Sequence, residues 1–121
     1  MSKLNETNGK AFNYYPRLKR LHQYVEQSYS EQISLGKAAS IAALERSYFS
    51  SYFHAKVGIT FTDWLQQVRV KKAMEVIRAS DFSITEVAYE VGFGDLRTFE
   101  RAFKQHTRMT PMEFKKSARP E

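Results

Sequence analysis

Residues 83–104 read SITEVAYEVGFGDLRTFERAFK, and this stretch decides the fold. Ser83-Ile-Thr-Glu86 has capping-box spacing, in which a hydroxyl and a carboxylate each accept the other residue's backbone N–H at a helix start. Ile84, Val87, Ala88 and Val91 then recur at helical intervals. Gly92 supplies the left-handed backbone that a sharp turn requires. A second helix is predicted from about Leu96 to His106. On it Phe99, Ala102, Phe103 and His106 fall on one face, and Arg97, Glu100, Arg101 and Lys104 on the other. A short helix, a tight turn and a second two-faced helix make a helix-turn-helix.

The same pattern occurs about fifty positions earlier. Ser34, Leu35, Ala38, Ala39, Ala42 and Leu44 match Ser83, Ile84, Val87, Ala88, Val91 and Phe93. Beyond one extra residue, Phe49, Phe53, Ile59, Thr60 and Trp64 match Phe99, Phe103, Met109, Thr110 and Phe114. Solenoid arrays need three or more copies, so two copies read as a duplicated motif. The remaining punctuation fits. Pro16 opens a helix in which Leu18, Leu21, His22, Val25 and Tyr29 share a face. Gly58 closes the helix that starts near Arg46. Thr60 to Asp63 comes close to a capping box for a long helix through Ala79. Thr110-Pro-Met-Glu113 starts a last helix.

The expected architecture is all-α, with about seven helices. A flexible polar segment over residues 1–13 precedes a first helix-turn-helix subdomain over 14–60. A linker helix over 61–79 leads to a second subdomain over 80–121. The linker helix would be roughly 28 Å long at 1.5 Å per residue.

Composition narrows the function. The chain has 121 residues, a net charge of +6 and no cysteine. Thiol catalysis, disulfides and cysteine–zinc sites are therefore excluded. No apolar run is long enough for a transmembrane helix, and the N-terminus lacks an apolar signal core, so a soluble cytoplasmic protein is expected. His22, His54 and His106 lie on separate predicted helices, with no metalloprotease or phosphate-loop motif. Neither catalysis nor a cofactor is expected. His22 and His106 sit on apolar faces and read as packed residues, and the Phe, Tyr and Trp64 positions as core.

A basic chain with two similar grips suits double-stranded DNA. Arg97 has the reach for a bidentate contact to guanine, while Arg101 and Lys104 follow along the groove or take phosphates. Ser47, Ser50, Ser51 and His54 look outward from the first reading helix, and their small polar groups suit base edges or phosphates. Backbone amides at Ser34 and Ser83 are placed to receive phosphates. A protein-interaction module, and a single reading helix with a structural first repeat, are the competing readings.

The stretch from Arg69-Val-Lys-Lys through Asp95, with Thr98-Phe-Glu-Arg-Ala-Phe-Lys104 and Thr110-Pro111, closely resembles the signature of the AraC/XylS transcription regulators. The resemblance covers residues 17–117 and is similar to the stand-alone MarA/SoxS-like members. It implies a transcription activator that binds DNA as a monomer, places two recognition helices in successive major grooves and recruits RNA polymerase. Its DNA-contact positions fall on Arg46, Ser47, Ser50 and Ser51, and on Leu96, Arg97, Thr98, Glu100 and Arg101. Three departures stand out. Ala43 replaces the usual turn glycine, and a left-handed alanine costs on the order of 1 kcal/mol, so the first turn is expected to differ. The serines imply register more than discrimination. Glu100 either accepts from cytosine or pairs with Lys104.

Overall fold

Caps and turns place the helix boundaries. The computed structural model describes residues 7–118, and eight helices run among them: α1 (Ala11–Tyr14), α2 (Pro16–Ser28), α3 (Leu35–Ile41), α4 (Arg46–Val57), α5 (Phe61–Ala79), α6 (Ile84–Glu90), α7 (Leu96–Thr107) and α8 (Pro111–Ala118). No strand occurs among the described residues. Two compact units divide at Leu65 and Gln66, within α5.

In the first unit α2, α3 and α4 enclose Leu18, Leu21, Val25, Ala38, Ala39, Phe49 and Phe53, all buried. The first turn of α5 adds Phe61 and Trp64 to this core. Phe53 is the hub: its ring centroid lies 5.7 Å from Phe49, 5.6 Å from Phe61 and 5.6 Å from Trp64.

Two expectations near the start of this unit need correction. The eighth helix, α1, lies partly inside the expected flexible segment, whose second half is packed. Phe12 is buried and stacks on Trp64 at 4.9 Å. The Asn8 N–H donates to the Val57 carbonyl at 2.8 Å, and Asn8 Nδ2 donates to the Lys56 carbonyl at 3.1 Å, closing the end of α4. Ala11 and Phe12, two adjacent apolar residues in a polar run, carry no period that would reveal this docking. Residues 1–6 and 119–121 lie outside the described residues. His22 is the other correction. It is half exposed, not packed away: Phe12 flanks its ring at 5.0 Å, and Nε2 reaches Glu26 at 3.5 Å.

The second unit encloses Val87, Ala88, Val91, Phe93, Phe99, Ala102 and Phe103 with Val70, Ala73 and Ile77 of α5. A chain of rings, Phe93–Phe99–Phe103–Phe114, runs through it at 5.1, 5.6 and 5.6 Å. The Ser83–Glu86 capping box is closed, with Ser83 N–H to Glu86 Oε1 at 2.7 Å and Glu86 N–H to Ser83 Oγ at 3.1 Å. Thr110 and Glu113 repeat it at the start of α8, at 2.8 and 3.0 Å.

The duplication reaches further back than the helix-turn-helix. Leu18, Leu21 and Val25 of α2 have the same spacing and burial as Val70, Ala73 and Ile77 of α5. Each unit is thus a three-helix repeat, and α5 supplies the first helix of the second repeat. The two turns also match bond for bond. Ala43 N–H donates to the Ser40 carbonyl at 3.0 Å and Leu44 N–H to the Ala39 carbonyl at 2.9 Å; Gly92 and Phe93 do the same to Tyr89 and Ala88 at 3.1 and 3.0 Å. Both are Schellman endings. The expectation that Ala43 alters the first turn is therefore corrected. Ala43 adopts φ 60 and Gly92 φ 105, one left-handed residue in each turn.

Candidate nucleic-acid interface

Burial of Phe49, Phe53 and Val57 leaves the other side of α4 to solvent. Arg46, Ser47, Ser50, Ser51 and His54 are all exposed there. Glu45 caps the helix, its carboxylate accepting from the Tyr48 N–H at 3.1 Å.

Burial of Phe99, Ala102 and Phe103 does the same for α7. Arg97, Glu100, Arg101 and Lys104 are exposed and, with Gln105 and Thr110, line one shallow groove. Glu100 makes no ion pair with Lys104 among the described residues, so its carboxylate faces solvent among three cations. Leu96 and Thr98 stand at the edge of this face, half buried. Thr98 is engaged already: its N–H reaches Asp95 Oδ1 at 2.8 Å and its hydroxyl reaches Asp95 Oδ2 at 3.0 Å. The Thr98 N–H and then its hydroxyl hold the Asp95 carboxyl below its ordinary range, outweighing desolvation, with smaller help from the charge of Arg101 and the Arg97 N–H. Asp95 thus caps α7 through its bonds to Thr98.

The reading of every Phe and Tyr as core is corrected at exposed Tyr14, Phe82 and Tyr89 and, on α4, at Tyr48 and Tyr52. Tyr48 is 57% exposed on α4. Tyr52 is half buried, and its ring lies 5.9 Å from Tyr48 and 6.1 Å from Tyr15. The Lys56 ammonium lies over Tyr15 at 5.0 Å and over Tyr52 at 5.7 Å. The helical wheel holds the missed signal, because at about 100° per residue Tyr48 points roughly 100° away from Phe49 and roughly 140° away from Phe53. Counting tyrosine as an apolar residue hid it.

The helix starts expected to seat phosphates are not alike. In the second unit the capping box uses the Ser83 and Glu86 N–H groups and sets a carboxylate at the entrance, which opposes an anion there. In the first unit Ser34 Oγ accepts from the Lys37 N–H at 3.0 Å, and the residue in place of the glutamate is a lysine.

Two helix-turn-helix units, the second helix of each anchored by phenylalanines and presenting a polar face, define a domain of the tandem helix-turn-helix class. The model of the helix-turn-helix domain family matches residues 38–117. The chain is 33% identical over 94 residues to an uncharacterized HTH-type transcriptional regulator of Pseudoalteromonas carrageenovora, across 78% of this chain and 55% of the relative. It is 28% identical over 99 residues to the HTH-type transcriptional activator RhaS of an Enterobacter species, across 82% of this chain and 36% of the relative. The solved DNA-binding domain of AdpA, in complex with a target DNA, superposes with a TM-score of 0.75 at 25% identity, covering 88% of this chain and 97% of that one. The chain belongs to the AraC/XylS family of helix-turn-helix transcription regulators, which are DNA-binding proteins and not enzymes. It spans about half or less of the length of the curated relatives it matches.

Proposed function

We propose that this chain acts as a sequence-specific transcription activator and that α7 is its principal base-reading helix. One observation carries the proposal: Arg97, Arg101 and Lys104 stand exposed on one face of α7, held from behind by buried Phe99 and Phe103. Arg97, nearest the helix start, has the geometry for bidentate contact to guanine, and Arg101 and Lys104 suit bases and phosphates further along. Glu100, unpaired with Lys104, suits the amino group of cytosine. Leu96 and Thr98 border the contact. On α4, Arg46, Ser47, Ser50, Ser51 and His54 make a shallower face, with Tyr48 added beside it. The two reading helices enter successive major grooves of double-stranded DNA as a monomer. The α5 helix of 19 residues has a length comparable to one DNA turn of roughly 34 Å. RNA polymerase is the partner such an activator addresses, and the cytoplasm is its place.

Selection of bound sequences from random duplex DNA, followed by footprinting, tests this reading. The expected site is asymmetric, with two protected major-groove segments on one face. Affinity should fall on the order of a thousandfold between 50 and 200 mM salt if about six phosphates are contacted. Binding that ignores salt and sequence would make the chain a protein-interaction module instead. One protected segment would leave α7 as the sole reader.

A further inference from the structure

The turn between α3 and α4 sets the angle at which α4 leaves its partner helix, and it is built on an unfavourable residue. Ala43 sits at φ 60, where the Cβ of an L-residue crowds the following carbonyl. The equivalent residue of the second unit is Gly92, which adopts the left-handed region without that clash. What accompanies Ala43 is an arginine from α2. Arg17 Nη1 donates to the Ala42 carbonyl at 3.1 Å and to the Ala43 carbonyl at 2.8 Å. Arg20 Nη1 reaches the Ile41 carbonyl at 3.4 Å. These are carbonyls at the end of α3 that lack intrahelical partners, where a cation is also favoured by the helix dipole.

We infer that Arg17 is a positioning residue for DNA recognition: by holding the Ala42 and Ala43 carbonyls it keeps the left-handed turn, and with it the reading face of α4, in the binding conformation. The inference rests on the reading of α4 as a DNA-contacting helix. Arg17 itself is exposed and fills no core space. Its removal therefore opens no cavity, and its effect passes through the turn. The residue at the matching place in the second repeat, Arg69, lies with its guanidinium over the Phe93 ring at 6.0 Å, directly after Gly92. An arginine from the preceding helix thus meets the turn in both units, and in the first it meets the strained carbonyls.

The test uses the full chain, the best duplex from random selection, and three variants: Arg17→Ala, Ala43→Gly and the two combined. Arg17→Ala should bind about fivefold more weakly, because a competent turn populated about one-fifth of the time raises the apparent Kd by that factor. Ala43→Gly alone should bind at least as tightly as the parent. The combination should return to within about twofold of Ala43→Gly, because glycine holds the turn without help. The slope of affinity against salt should stay unchanged throughout. A slope lowered by about one, with no rescue by glycine, would make Arg17 a phosphate contact and overturn the inference. Amide exchange of Leu44, whose N–H donates to Ala39 across the turn, reports without DNA. It should quicken in Arg17→Ala and recover in the combination; an unmoved rate also overturns the inference. Should the parent chain show no base-selective binding while the exchange pattern holds, the DNA reading falls and the clamp on the turn stands.

Discussion

The two units share a scaffold and differ in what they show to solvent. The helices α4 and α7 are each anchored by a phenylalanine pair, Phe49 and Phe53 or Phe99 and Phe103, and all four rings are fully buried. Each unit has two left-handed helix endings, one with glycine and one without, in opposite order. The first unit uses Ala43 after α3 and Gly58 after α4; the second uses Gly92 after α6 and Arg108 after α7. The exposed faces have diverged far more. Ser47, Ser51 and His54 stand where the second unit has Arg97, Arg101 and Lys104. Lys37 stands at a helix start where the second unit has Glu86. Packing and turn geometry set what the repeat must keep. A helix face turned to solvent can change its chemistry at little structural cost.

The largest expected effect tests the shared half of this comparison. Phe53→Ala and Phe103→Ala should each cost about 3–5 kcal/mol, since each empties the middle of a ring cluster. Urea unfolding of the two variants measures both. A loss below about 1 kcal/mol for either would mean that the matching positions do not carry matching cores.

The next effect tests the divergent half. Arg97→Ala should cost about 1–3 kcal/mol at the preferred site and relax base choice at one position. Ser47→Ala, at the equivalent place on α4, should cost about 0.5–1 kcal/mol, the worth of one neutral hydrogen bond. Competition binding against single-base variants of the selected site separates them. Equal losses would remove the proposed ranking of the two helices. Lys104→Ala should weaken all sequences evenly and lower the salt slope by about one.

A smaller effect comes from exchanging the turn residues. Gly92→Ala should cost on the order of 1–2 kcal/mol, because it places a Cβ in the left-handed region. Ala43→Gly should be neutral or gain about 0.5 kcal/mol, since relieved strain is partly offset by greater freedom in the unfolded chain. Thermal unfolding of both gives the answer. A stabilised Gly92→Ala would show that the second turn tolerates what the first must be helped to hold.

Most of the scaffold was legible in the sequence because its signals are local. Ser83-Ile-Thr-Glu86, Thr110-Pro111, Gly58 and Gly92 each mark a helix end through a short-range hydrogen bond or a backbone preference. The apolar periods of α4 and α7 then give the buried faces and, by subtraction, the exposed ones. What escaped depends on distant partners. Phe12 packs because Trp64 is there, and α1 forms because Asn8 finds the end of α4. Arg17 looks like any surface arginine until the Ala43 carbonyl is found 2.8 Å away. Tyr48 escaped for another reason: residue type was allowed to outweigh its place on the helix.

The smallest effect concerns the caps at which the reading helices begin. Asp95 accepts both the N–H and the hydroxyl of Thr98, whereas Glu45 accepts the Tyr48 N–H at 3.1 Å. These bonds, with the nearby charge of Arg101, lower the Asp95 carboxyl's pKa in the folded chain. A carboxyl whose folded pKa lies below its unfolded value binds fewer protons when folded, so the helix gains from the charge above the ordinary carboxylate pKa. That gain should disappear as the pH falls through the lowered value, because the protonated acid is a poorer acceptor. Amide exchange at Thr98 should therefore quicken relative to the amides of the α7 core on acidification below the ordinary carboxylate range. Asp95→Asn should remove this pH dependence and keep part of the cap, since asparagine still offers an oxygen to the N–H. Were the Thr98 amide to keep the same acid response in Asp95→Asn, the charge would reside elsewhere, and the start of α7 would be no better fastened than that of α4.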